Sequence, residues 1–215
     1  VPERLAPRCH VCPVPVEPIP AAAERDPGLI LWNHRWEYDK VPEAFAEAVE
    51  ALVQEGVDFR LALLGRRPQN PPDALRRIRR AAPERIVADG RVDAASYRAL
   101  VGRAGIVVST AIHEFQGLAV IEACSAGAVP LVPDALCYRE QFPANYRYPQ
   151  GDTAALVASL RHWLMYGAPP PVSVERRIKP SATLQCNKGV TRAPWTVSIM
   201  QGGDHHGEHR YQPVQ

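Results

Sequence analysis

The sequence has no run approaching the roughly 18 consecutive apolar residues of a membrane helix. Its first residues, VPERLAPRCHVCPVPVEP, lack the basic-then-apolar layout of a secretion signal. Neither a membrane partner nor export is expected, and the reading is cytoplasmic. Cysteines stand at 9, 12, 124, 137 and 186, odd in number and irregular in spacing, which argues against a disulfide framework. Cys9 and Cys12 form a CxxC, but no second pair follows at finger spacing, and the histidines at 205, 206 and 209 sit in a polar end without a pattern, so no metal is assigned. An excess of one charge is also lacking. With 25 Lys and Arg against 23 Asp and Glu, the net charge of +2 neither demands nor excludes an anionic partner. Arg76, Arg77, Arg79 and Arg80, near Arg66, Arg67 and Arg85, could touch RNA phosphates, but without interleaved aromatics a solvated helix face explains them as well.

What is present divides into three parts. Residues 1 to 28 carry prolines at 2, 7, 13, 15, 18, 20 and 27, a density that blocks helix and fits an extended lead-in or linker. Within it Val11, Val14 and Val16 could form an edge strand. Residues 29 to 167 alternate short apolar runs with amphipathic stretches, which predicts an α/β domain: a Rossmann-like parallel sheet with flanking helices. Strands are expected at 29–32, 57–64, 86–88, 106–109 and 129–132. The helices between them open on Pro42 and on the caps Asp73, Asp93 and Asp152, with one more running from Gly117 to Gly127. Residues 168 to 215 lose the rhythm and read as an irregular or disordered tail.

The segment HEFQGLAVIEACSAG, from His113 to Gly127, concentrates groups suited to chemistry. Glu114 falls in the loop after a strand, and Glu122 lies about one and a half turns into the next helix, so both can face one ligand. Gly117 permits close approach of the backbone. The N–H groups of Gly117, Leu118 and Ala119 at the helix start would point at an anion such as a diphosphate. Carboxylates suit sugar and ribose hydroxyls, because each can take two donors in defined geometry. Upstream, Arg35 and Lys40 follow the first strand, at the carboxyl edge where α/β sheets bind ligands. Asn33 and His34 stand beside them as candidates for a phosphate or acceptor contact, against the alternative of a structural loop histidine.

The pattern E-F-x-G-x-x-x-x-E, followed by A-x-x-A-G-x-V-P, resembles glycosyltransferase family 4, the retaining enzymes of GT-B fold. The resemblance implies that this domain is the C-terminal, donor-binding half of such an enzyme. By the same resemblance Glu122 holds the nucleotide ribose and Glu114 contacts the donor sugar. Gly117, Leu118 and Ala119 meet the phosphates by backbone, Arg35 and Lys40 neutralise the leaving diphosphate, and the backbone at Gly90, Arg91 and Val92 contacts the base. No DxD occurs, which fits transfer without a metal or other cofactor. The blocks LILWNHRWEYDK, LALLGRRPQN and VSTAIHEFQGLAVIEACSAGAVPLVPDALCYREQFP resemble the tRNA-queuosine mannosyltransferase group, which implies GDP-mannose as donor and tRNA as acceptor. A GT-B enzyme also carries an N-terminal Rossmann-like domain. Only the proline-rich lead-in stands before the donor domain here, so that domain is an expected missing partner. A UDP-sugar enzyme acting on a glycan or lipid, and an inactive nucleotide-binding module, are the rival readings.

Overall fold

A computed structural model describes residues 14–174. The described residues form a six-stranded, wholly parallel sheet in the order β3-β2-β1-β4-β5-β6. The strands are β1 (Asp26–Trp32), β2 (Arg60–Leu63), β3 (Ile86–Asp89), β4 (Ala104–Val108), β5 (Val129–Pro133) and β6 (Arg147–Tyr148). The helices are α1 (Pro42–Gln54), α2 (Asp73–Ala81), α3 (Ala94–Arg103), α4 (Leu118–Ser125), α5 (Tyr138–Gln141) and α6 (Thr153–Tyr166). Right-handed crossovers place α1 and α2 on one face and α3 and α4 on the other, because the strand order runs outward in both directions from β1 and β4. Helix α6 packs beside α1.

The central strands read as unbroken apolar runs because both their faces are covered. Leu29, Ile30, Leu31 and Trp32 of β1 and every residue of β4 and β5 are buried. Trp32 stacks on Phe45 of α1 with ring centroids 4.5 Å apart and planes 22° from parallel, and Trp36 tilts against it at 5.5 Å. Aromatic pairs of this kind add about 0.5–1.5 kcal/mol beyond the area they bury. The cluster fixes α1 under the end of β1, from which the loop carrying Arg35 and Lys40 departs.

Several expected boundaries shift, each for a local reason. Strand β1 starts inside the lead-in: Asp26 pairs with Ala104, Pro27 needs no donor there, and Arg60 grips the Asp26 carboxylate with two bonds of 2.5 and 2.6 Å. Strand β2 starts at Arg60 and not at 57, because the Val57 N–H is spent on Leu52 O, closing the turn out of α1. Asp73 is the first helical residue of α2 and pairs with Arg76, so the cap position belongs to Pro72. Asp93 and Asp152 do cap their helices by side chain, Asp93 through Ala95 and Ser96 and Asp152 through Ala155. Helix α5 and β6, four and two residues long, are too short for periodicity to announce them. Val16 and Ile19 of the lead-in are buried in the core, and after α6 the chain returns to it: Tyr146 Oη donates to Pro170 O at 2.7 Å and Val174 is buried. The CxxC, Val11 and the histidines at 205, 206 and 209 lie outside the described residues.

The loops leaving β1 and β2 touch at Gly65, where a Cβ would lie 1.4 Å from His34 O. The Trp36 N–H also donates to Arg66 O at 2.9 Å. Gly65→Ala therefore forces the two loops apart. Urea denaturation should show a loss of roughly 2 kcal/mol or more, as for overpacked cores, and a loss under about 0.5 kcal/mol would mean that the loops separate freely.

Candidate functional site

Strand order reverses between β1 and β4, so the loops leaving their carboxyl ends diverge and leave a crevice, the place where open α/β sheets bind ligands. Both loops and the start of α4 meet there. The loop after β1 turns back through a short 3-10 turn at Tyr38–Lys40, and Val41 in left-handed conformation leads into α1. Lys40 is buried, and its ammonium donates to His113 O at 2.6 Å and to Glu114 Oε2 at 3.1 Å, with Asp39 Oδ2 at 3.2 Å. The Ile112 N–H donates to Asp39 O, and Thr110 Oγ1 donates to Lys40 O at 2.6 Å. The loop after β4 is thus tied to the loop after β1 by side chain and backbone.

Glu114 organises the next turn. Its Oε1 accepts from the N–H groups of Phe115, Gln116 and Gly117, at 3.1, 3.4 and 2.9 Å. Burial pushes its carboxyl up, but the Gly117 N–H and the Lys40 ammonium outweigh that and hold it below the usual carboxylate range. Gly117 has φ +69°, and a Cβ there would stand 2.8 Å from Tyr138 Cε1. Only glycine meets both demands. After the bend α4 starts at Leu118, and the N–H groups of its first turn, Leu118 and Ala119, have no partner within the helix.

On the other side of α4, Glu122 Oε2 accepts from Tyr97 Oη of α3 at 2.5 Å. Asn33 Nδ2 donates to Tyr97 Oη at 3.2 Å and to Ala119 O at 3.0 Å. Tyr97 and Glu122 line a cleft of about 440 Å³ together with Arg91, Val92, Ala94, Arg98, Leu64 and, from the lead-in, Glu17 and Ile19. The site therefore has a helix start beside two carboxylates and a neighbouring cleft of nucleoside size.

A family model described as "Glycosyl transferases group 1" matches residues 28–165. The chain belongs to that family. The tRNA-queuosine alpha-mannosyltransferase of Drosophila melanogaster is 33% identical over 119 residues, which are 55% of this chain and 32% of that protein. The chain thus spans about a third of the length of the curated relative it matches. Among solved structures, the pneumococcal O-GlcNAc transferase GtfA in complex with UDP and GlcNAc superposes with a TM-score of 0.59 at 15% identity, covering 70% of this chain and 32% of that one. The catalytic domain of the cholesterol-alpha-glucosyltransferase from Helicobacter pylori gives 0.54 at 21% identity, covering 65% and 87%. The parallel sheet is the Rossmann-like architecture of GT-B glycosyltransferases.

Within this glycosyltransferase domain the sequence-predicted residues are not equally placed. Glu114, Lys40 and the start of α4 form one cluster; Glu122, Arg91 and Val92 line the cleft on its other side. Gly117 and Gly90 depart from the expected roles, and for His34 the structural alternative is the one the fold adopts. The Gly117 N–H is taken by Glu114, which leaves Leu118 and Ala119 as the remaining expected donors at the helix start. Gly90 is buried with its N–H on Leu63 O, so its neighbours Arg91 and Val92 face the cleft in its stead. His34 does not reach the surface of the site: it is 3% exposed and packs edge-on to Trp32. Arg35 is half-exposed, 2.7 Å from Glu37. In the basic stretch, Arg76, Arg77 and Arg79 are paired with Asp73, Glu50 and Asp89, which leaves less free charge for RNA than the sequence suggested. Tyr97, Glu17 and Ile19 carry no local signal for the site, the first lying inside an ordinary amphipathic helix and the others inside the proline-rich lead-in. Among the described residues no helix is long and apolar enough to cross a membrane.

Burial and the Lys40 ammonium lower the His34 imidazole to about 4, against the opposing pull of Glu114 and Asp39. The unfolded chain takes up this proton near pH 6.5 and the folded chain does not, so stability falls as pH drops from about 6.5 to about 4, by up to roughly 3 kcal/mol. Glu114, whose folded value is depressed, adds a further loss as pH falls through that value, below about 4.3. Urea titrations across pH should show the upper slope vanish in His34→Gln and only the lower one shrink in Glu114→Gln. An unchanged upper slope in His34→Gln would mean that His34 is charged in the fold.

Proposed function

We propose that this domain binds a nucleoside diphosphate sugar, GDP-mannose, and serves mannosyl transfer to the queuosine of a tRNA, with retention and without a metal. The observation that carries the donor half of this reading is the start of α4, aimed by Glu114 and Gly117 into a crevice that opens beside Glu122 on a cleft of about 440 Å³. A diphosphate accepts from the Leu118 and Ala119 N–H groups under the positive end of the helix dipole. The base lies against Arg91 and Val92, the ribose against Glu122, and the sugar near Glu114.

Breaking the bond between the sugar and the diphosphate develops negative charge on the leaving oxygen, which fixed donors and cations stabilise. Arg35, half-exposed, exchanges Glu37 for phosphate at little cost, since such surface pairs are worth about 0–1 kcal/mol. Lys40 lies deeper and is already balanced by Asp39 and Glu114, so it both adds charge beneath the phosphates and keeps Glu114 ionised. The mannose and tRNA assignments draw on the sequence blocks and on the name of the Drosophila relative. A UDP-sugar reading has its own support, because GtfA, similar in fold, was solved with UDP and GlcNAc.

Thermal-shift titration with GDP, GDP-mannose, UDP and UDP-glucose separates the two. A ligand at 100-fold its Kd should add about 2.7 kcal/mol, a rise in Tm of roughly 5–10 °C for a domain of this size. GDP and GDP-mannose should give the larger rise, and a preference for UDP would sink the mannose assignment. Glu122→Ala should weaken nucleotide binding about tenfold, the scale of one charged hydrogen bond lost; unchanged affinity would remove Glu122 from the ribose site. Incubation with GDP-mannose and queuosine-containing tRNA should add one hexose mass to the nucleoside, and binding without turnover would favour a module that needs a partner domain.

A further inference from the structure

We infer that Tyr97 is a positioning residue for the nucleotide ribose: anchored by Asn33, its phenol holds Glu122 in the orientation that presents the free carboxylate oxygen to the ribose diol. The inference rests on the reading of Glu122 as the ribose contact.

Donor directions fix the relay. Asn33 Nδ2 donates to Ala119 O, which can only accept, so the amide orientation is set, and the same nitrogen donates to Tyr97 Oη. Tyr97 has one proton, and Glu122 Oε2 is an acceptor, so that proton points at the carboxylate. Burial, with Glu122 second, pushes the Tyr97 phenol well above its ordinary value, so it stays a donor at any working pH. The three residues come from the end of β1, from α3 and from α4, and each is anchored in an element of the core. With Oε2 held, Glu122 cannot rotate freely, and Oε1 is the oxygen left for a ligand in the cleft that Tyr97 and Glu122 both line. A carboxylate held before the ligand arrives loses less side-chain freedom on binding.

The test measures affinity of the full chain for GDP and 2′,3′-dideoxy-GDP, and for UDP and 2′,3′-dideoxy-UDP, in the unmodified protein, Tyr97→Phe, Asn33→Ala and Glu122→Ala. The unmodified protein should prefer its ribonucleotide about tenfold over the dideoxy form. Tyr97→Phe should lose roughly three- to tenfold affinity for the ribonucleotide and none for the dideoxy analogue, so that the preference collapses toward one. Asn33→Ala should show the same selective loss, and it carries the test should Tyr97→Phe fail to fold. Equal losses for both nucleotides, or an intact preference in Tyr97→Phe, would overturn the role of Tyr97 while leaving that of Glu122 standing. If Glu122→Ala keeps the full preference, or if neither nucleotide is bound, the ribose reading itself falls and the inference falls with it.

Discussion

The site depends on one buried ammonium. Lys40 reaches from the loop after β1 into the loop after β4, where His113 O and Glu114 accept from it and Asp39 lies beside it. A lysine 6% exposed is costly to bury unless paired and hydrogen-bonded. Here the pairing carries geometric information: with Oε2 on Lys40, Glu114 can turn only Oε1 to the backbone of the next turn, and three N–H groups close on it. The direction in which α4 starts follows from that. Removing the ammonium would therefore disturb more than one ion pair, since it would free the carboxylate that holds the turn.

The second support lies on the far side of the same helix. Tyr97 and Asn33 grip Glu122 and the Ala119 carbonyl, so the first turn of α4 is fastened by Lys40 and Glu114 from one flank and by the Tyr97 phenol from the other. Both sets of contacts originate where the strand order reverses, because only there do loops from β1 and β4 border the same space. Topology brings the parts together, and charged hydrogen bonds set their angles. A helix start fixed in this way offers donors whose directions are settled before an anion arrives, which is how preorganised sites stabilise developing charge.

Much of this was legible in the sequence because it is written locally. The apolar runs of β1, β4 and β5 announce strands buried on both faces, and Glu114, Gly117 and Glu122 lie within one turn and one helix, so their spacing alone places them together. What stayed hidden was written across the chain. Tyr97 sits 25 residues from Glu122 and 64 from Asn33, and nothing in SYRALV distinguishes a phenol that points at a carboxylate from one that packs. Glu17 and Ile19 were masked by composition, since proline density signals an extended path and not what that path lies against. The placement of His34 has the same origin: its loop position left a ligand contact and a structural role equally open, and only the Trp32 and Phe45 cluster shows the ring turned inward.

These two kinds of information also divide the roles of the two carboxylates. Glu114 spends both oxygens inside the protein, on three backbone donors and a lysine, so its work is to shape the turn before α4. Glu122 spends one oxygen on Tyr97 and lines the cleft. The two acids of the motif flank one glycine, and the surrounding hydrogen bonds make the first an organiser of the turn while the second keeps one oxygen outside the network. The difference is set by residues outside the motif, Lys40 and Tyr97, so the same three motif residues can be held differently by what surrounds them.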